Sequence, residues 1–272
     1  MTHKKVISVI EEKVGTAHNP LKIISDDFCE YYLKVPKNQN PELSIIKEFL
    51  TSLLLNHWSI KTPKTAALKL DRGIINKPLS QFHNASDFGR TCFGSKVIPT
   101  NFEFSAIINL ITKHDFNRFA NPVDFLKLGL FDIWVENDDR KPSNPNLLVS
   151  DGDNGFEFFA IDHAFTFSSM EFTKLKPSLD LGCSFNDSIL FTDFSKSVFK
   201  YICRGNPNWF DEIKEYFYLS IEKCKNNYQT IIENIPTDLG FDDSNQTALF
   251  NFLFSEPRNK KVFSEFRGRF EL

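Results

Sequence analysis

Two carboxylates and an amide, Asp139, Asn144 and Asp162, stand in one short stretch, FDIWVENDDRKPSNPNLLVSDGDNGFEFFAIDHAFTF at 131–167. Asp138, Asp139 and Arg140 follow an apolar helical pattern, and Asn144 and Asn146 lie in a loop punctuated by prolines. Leu147–Val149 predicts a short strand, Ser150–Gly155 a turn, and Phe156–Ile161 a second strand with Asp162 directly at its end. A hairpin of this kind holds its two mouths close together, so the three side chains are expected to converge. Oxygen ligands of this type suit a hard divalent cation. Magnesium keeps several waters and shares phosphate oxygens, so it asks little of the protein. Phosphoryl transfer also needs a carboxylate that orients the attacking hydroxyl or accepts its proton. In that chemistry Asp139 is the base, and Asn144 and Asp162 are the metal ligands. The plain alternative is an acidic, Asn-rich surface loop, because Asp, Asn and Pro are ordinary turn formers.

A second pair lies upstream. In the β-prone run Cys29–Val35 the side chains alternate, so Lys34 faces opposite to Leu33 and Val35. Pro41 opens a predicted helix from about Glu42 to His57. Its apolar stripe is Ile45, Ile46, Phe49, Leu50, Leu53 and Leu54, with Glu48 near the edge. Lys34 and Glu48 meet if this helix packs on the sheet. A lysine on nucleotide phosphates, steadied by a helix glutamate, is an arrangement that phosphoryl transfer uses. On spacing alone the two read as a solvent lysine and a solvent glutamate. Gly15 and Thr16, in the turn 15–20, offer backbone amides to a phosphate or form an ordinary turn. Neither GxxxxGK[ST] nor GxGxxG is present.

The elements that must position these groups follow from pattern. Lys5–Val14 and Leu21–Ile24 predict strands, and Ser25-Asp26-Asp27 a hairpin turn. Ala66–Leu68 predicts a short edge strand, and Phe88–Lys96 a glycine-marked connection. Glu103–Ile111 predicts a helix. Asn121-Pro122 caps another, whose buried side carries Phe125, Leu128, Leu130, Ile133 and Trp134. Asp132, in that apolar company, reads as a buried hydrogen-bond anchor. Asp138 reads as a support or cap of the loop, and Arg140 as a bridge between acidic groups or a phosphate contact. Met170–Phe185 is irregular. Amphipathic helices are expected over Asp187–Ile202, Trp209–Cys224 and Ser244–Phe254, with a helical turn at Ile231–Ile235. The basic, aromatic stretch Lys260–Phe270 is expected to pack on the last helices.

The 272 residues, 41% hydrophobic with 30 Phe, can bury a large aromatic core. Net charge is -3, with 32 basic and 35 acidic groups and no polybasic block, so direct nucleic-acid binding is not expected. The N-terminus is too soon acidic for a secretory signal, and no run approaches roughly 18 apolar residues, so no membrane span is expected. The cysteines at 29, 92, 183, 203 and 224 are scattered without a CxxC pair. They read as buried thiols in a reducing, cytoplasmic setting.

Taken in order, strand Lys34, helix Glu48, the Asp139/Asn144 loop and strand-end Asp162 resemble the protein-kinase-like fold, most of all the compact stand-alone branch of the HipA-like kinases. NDDRKPSNPNLL resembles that branch's N-x-D-R-x-x-x-N-P-N-L-L loop. FFAIDHAFTF resembles its I-D-H-G-x-x-F segment, with Ala164 where glycine is usual. GTAHNP at 15–20 resembles a degenerate form of the family's glycine-serine-proline turn, and Phe93-Gly94-Ser95-Lys96 its FG element. The likeness covers roughly residues 5 to 170 well and the helical remainder in character only. It implies an α+β, two-lobed fold: a β-rich lobe with one helix over 1–95, and a helical lobe with the catalytic loop and metal-binding hairpin over 96–272. It also implies Lys34 neutralising ATP phosphates, Glu48 orienting it, Asp139 catalytic, and Asn144 and Asp162 on Mg2+. The implied acceptor is a serine or threonine hydroxyl of a protein. The alternatives are an ATP-binding module of kinase fold that captures a protein partner without turnover, a nucleotidyl or phosphoinositide transferase, a nuclease, and a non-enzymatic domain whose polar loop is only a turn.

Overall fold

The structure, a computed structural model, describes residues 3–14, 19–37, 42–76, 78–99, 101–106, 108–177 and 188–271. Gly15, Thr16, Pro41 and Cys183 lie outside them, as does Asp187 at the expected start of a helix. Strand β1 (His3–Glu12) is joined to β2 (Leu21–Ser25) and β3 (Glu30–Lys34). Helix α1 (Leu43–His57) follows, then β4 (Thr65–Lys69) and β5 (Thr91–Lys96). These strands close into a barrel in the order β1-β2-β3-β5-β4, sealed by parallel pairing of His3 with Ala67. Strand alternation explains the interior: Val6, Leu21, Ile23, Leu33, Leu68 and Cys92 point inward and are buried. Register shifts along β1, between Val6 and Ser8 and between Val9 and Glu11, bend that strand where the ring closes.

Phe88–Lys96, expected as a connection, contains β5, which pairs with both β3 and β4. Gly94 is there for space, not for a turn. A Cβ at that position would lie 2.1 Å from Leu68 Cδ1 and 3.2 Å from the Ala66 carbonyl oxygen.

Helix α1 is buried on nearly all sides, Lys47, Glu48, Thr51 and Ser52 included. Its apolar residues join the core of the C-terminal half, separate from the barrel interior. Trp58, just past the helix, lies 5.1 Å from the rings of both Phe131 and Trp134.

Strand β6 (Asn101–Glu103) forms a second sheet with β7 (Leu147–Gly152) and β8 (Gly155–Ala160), in the order β6-β7-β8. Part of the helix expected over Glu103–Ile111 is instead the end of β6 and a 3-10 turn at Phe104–Ala106. Phe104 drops from that turn into an aromatic cluster with Phe125, Phe158 and Phe194, its ring 5.0 Å from Phe125 and 5.0 Å from Phe194. Burying a large ring outweighs the local helical preference. The remaining helices are α2 (Lys113–Phe116), α3 (Val123–Val135), α4 (Asp193–Val198), α5 (Trp209–Asn226), α6 (Tyr228–Glu233), α7 (Asp243–Leu253) and α8 (Glu256–Gly268). A π-helical turn, Phe199–Cys203, extends α4. Phe270, two residues past α8, packs against Phe199, Trp209 and Phe266, as expected for the aromatic tail. Among the described residues no helix is long and apolar enough to cross a membrane. Cys92, Cys203 and Cys224 are free and buried, whereas Cys29 is free and half-buried at the β2–β3 turn.

Candidate active site

The polar loop starts where α3 stops. Glu136 ends the helix in the left-handed region at φ 48, which costs a non-glycine residue on the order of 1–2 kcal/mol. The fold holds it there. Arg258 of α8, fully buried, donates from Nη2 to Glu136 Oε1 at 3.0 Å and to the Trp134 carbonyl at 2.7 Å. Ser168 N–H donates to the Glu136 carbonyl at 2.9 Å. The loop therefore leaves from a fixed point.

Asn137 then donates from Nδ2 to Asp132 Oδ1 at 3.0 Å and accepts the Asp139 N–H at 3.1 Å. Asp139 is gripped on both carboxylate oxygens: Asn144 Nδ2 donates to Oδ1 at 2.9 Å and Asn146 Nδ2 to Oδ2 at 2.8 Å. Two amides on one carboxylate fix the direction in which its remaining lone pairs point.

Beneath it Arg140 is buried and multiply bound. Its Nε lies 3.0 Å from Asp132 Oδ2, and Nη1 donates to the carbonyls of Pro145 (3.2 Å) and Asn146. Both terminal nitrogens reach the Ile161 carbonyl at 3.4 Å. Burial pushes the Asp132 carboxyl up to about 6, with the Arg140 charge opposing. Arg140 Nη2 also faces His163 Nδ1 at 3.2 Å. Guanidinium only donates, so Nδ1 must accept, and the imidazole proton sits on Nε2, 3.4 Å from Thr62 Oγ1. Thr62 in turn donates to the Ala160 carbonyl at 2.9 Å. Burial, then the charges of Arg140 and Lys34, holds His163 well below the ordinary histidine range, so it is neutral. Arg140 thus ties the loop to the hairpin by bridging Asp132 and backbone carbonyls, the structural role of the two open to it.

On the cavity side Lys34 bonds to Glu48 and lies 2.7 Å from Asp162 Oδ1. The Glu48 side chain is 1% exposed and that of Asp162 is 30% exposed. Burial pulls the Lys34 ammonium down, but the charges of Glu48 and Asp162 more than reverse this and leave it above the ordinary lysine value. One ammonium cannot neutralise two carboxylates, so burial and the Asp162 charge push Glu48 upward against Lys34. Asp162 itself sits in the left-handed region at φ 55.

A cavity of about 640 Å³ between barrel and hairpin is lined by Lys34, Glu48, Asp139, Asn144 and Asp162 together. All five residues picked from the sequence, apart from those in the undescribed turn, therefore face one space. They form two groups: Lys34–Glu48–Asp162, and Asp139–Asn144. Asn137, Asn146, Thr62, Glu136, His163 and Arg258 were missed as members of the site. Asn146, Asn137 and His163 carried a signal as members of the NDDRKPSNPNLL and IDHAF runs; Thr62, Glu136 and Arg258 act through partners far away in sequence. Among the described residues no three His, Cys, Asp or Glu side chains converge as a metal cluster. Of the carboxylates lining the cavity, Glu48 is held by Lys34 and Asp139 by two amides, which leaves the partly exposed Asp162 and the amide oxygen of Asn144, whose nitrogen is committed to Asp139, as the donors suited to a cation. This hard-oxygen, sparse set fits a cation that keeps most of its shell for water and phosphate.

Solved structures share the fold. The chain is similar to the Helicobacter pylori proinflammatory kinase CtkA, with TM-score 0.57 and 12% identity, covering 99% of this chain and 97% of that one. It is also similar to the Golgi casein kinase solved with Mn/ADP bound, with TM-score 0.51 and 11% identity, covering 99% of this chain and 74% of that one. No curated protein sequence matches the chain significantly. The sequence matches the HipA-like kinase family over residues 6–260, nearly the whole chain. With the kinase-like α+β fold in place, the chain belongs to the HipA-like kinases, which makes it a phosphotransferase.

Proposed function

We propose that the chain transfers the γ-phosphoryl group of Mg-ATP to a serine or threonine hydroxyl of a protein. The reading rests on one observation above the rest. Lys34 and Asp162, 128 residues apart, meet at 2.7 Å on the same cavity wall as Asp139. In this reading the barrel belongs to a small lobe, residues 1–95, and the remainder, 96–272, to a larger helical lobe, with the donor nucleotide between them. Asp139, oriented by Asn144 and Asn146, positions the acceptor hydroxyl and takes its proton. Lys34, held by Glu48 and Asp162, presents a fixed positive charge to the phosphates. Asn144 and Asp162 hold the metal, which when bound neutralises charge on the phosphate oxygens. Buried walls such as Phe93 and Phe104 exclude water from one side of the cavity.

The test compares wild type with Asp139→Asn in Mg-ATP carrying a labelled γ-phosphate, with a protein lysate supplying acceptors. Wild type is expected to label protein and release ADP. Asp139→Asn should lose about 10²- to 10⁴-fold in transfer while binding nucleotide as before. Equal transfer by both proteins would remove Asp139 from the chemistry. Tight nucleotide binding with no transfer by wild type would make the chain an ATP-binding module of kinase fold.

A further inference from the structure

Next to Glu48 on α1 stands Lys47, a side chain that the reaction as described does not use. It is 2% exposed, yet among the described residues it has no hydrogen bond or salt bridge. Its ammonium faces the Phe172 ring, 6.0 Å from the centroid. The charge acting on it comes from Asp138, the residue before Asp139. Asp138 is half-satisfied too. Its Oδ2 accepts from Ser169 Oγ at 3.3 Å and its N–H donates to the Phe165 carbonyl at 3.2 Å, but Oδ1 is buried without a hydrogen-bond partner. Glu136 and Asp139 add negative charge around it.

A lysine buried beside an aromatic ring costs stability, and methionine would fill the same volume without that cost. A group kept at such a cost next to Glu48 and in the field of Asp138 points to a role in function. The geometry also says which role. Helix α1 carries both Glu48, which engages Lys34, and Lys47, whose ammonium lies over Phe172, three residues on from Ser169, the hydroxyl that donates to Asp138. One turn further on, Thr51 bonds to Thr166 at 3.0 Å, so the same helix also touches the segment after Asp162. We propose that Lys47 is a positioning residue: its ammonium offsets the charge of Asp138 and holds the loop that continues into Asp139 in register with the Glu48 side of α1. This rests on the reading of Asp139 as the base that serves the acceptor hydroxyl.

The experiment measures ADP formation, Mg-ADP affinity and urea unfolding for wild type, Lys47→Met, Lys47→Arg, Asp138→Asn and the double variant K47M/D138N. Lys47→Met is expected to unfold at a higher urea concentration than wild type. It should bind Mg-ADP within about twofold of wild type but lose about tenfold or more in kcat. Lys47→Arg should recover part of kcat, and the double variant should be no slower than K47M, because the two residues act as one unit. Lys47→Met with wild-type kcat would overturn the proposal. So would kcat and stability falling together, or losses in the double variant that multiply. Wild type that makes no ADP would instead remove the kinase reading, and the positioning role with it. An active wild type with an unaffected K47M removes the positioning role alone.

Discussion

The two charged clusters around the hairpin are built to opposite rules. The lower one, Arg140 with Asp132, Asn137 and His163, is buried, and the guanidinium is committed to one carboxylate, one imidazole and backbone carbonyls. The upper one, Lys34 with Glu48 and Asp162, sets two carboxylates against a single ammonium and leaves Asp162 partly exposed to the cavity. A cluster whose valences are spent holds shape. A cluster with unbalanced charge at a cavity wall has charge left for a ligand. The difference separates the part of the hairpin that is scaffold from the part left open to a ligand.

The comparison can be broken most forcefully from below. Asp132→Ala strands the buried Arg140, and losing one partner of a buried pair should cost about 3–5 kcal/mol of stability, read by urea unfolding. An equal loss from the upper cluster would erase the distinction. Asp162→Asn should therefore leave the unfolding midpoint nearly unchanged, because it relieves Glu48 of a second carboxylate. It should still weaken Mg-nucleotide binding by about tenfold or more, read by calorimetry.

The smallest effect sharpens the contrast through pH. Burial, partly countered by Asp138, lowers Lys47 to about 8 from 10.5. A lysine lowered in the folded state costs stability while it is charged. That cost is present below about pH 8, and wild type regains stability as pH rises from about 8 towards 10.5. Lys47→Met has no such group, so the difference in unfolding free energy between the two proteins should shrink across that window. A constant difference would mean that Lys47 is not buried in charged form.

Gly94 shows how a correct local signal can be misread. Glycine marks turns, and Phe88–Lys96 reads as a connection for that reason. Here the glycine lets β5 pass within reach of Leu68, a demand set by a strand more than twenty positions away. Phe104 is the same case in a helix-like stretch, where the pull comes from Phe125 and Phe194. Asn144 and Asp139 were legible because they lie five residues apart in one loop. Arg258 and Glu136 were not, being 122 residues apart and joined only when α8 docks under the end of α3.

From sequence alone came the groups that work on local spacing: a lysine in an alternating strand, a glutamate on the next helix, and an acid–amide loop leading into a hairpin that ends in aspartate. Periodicity of two or 3.6 residues decides which side such a residue takes relative to its neighbours, and that needs no knowledge of the rest of the chain. Tertiary structure decided what each side faces. On α1, Lys47 and Glu48 are adjacent and opposite in charge, and no pattern says that Glu48 would meet Lys34 and Lys47 the ring of Phe172. That assignment belongs to packing, because α1 is buried on nearly all sides and the amphipathic signal that usually orients a helix is weak. Closure of the barrel through β1 and β4 and the buried contacts of Arg140 were settled the same way, by long-range burial that only the folded chain brings about.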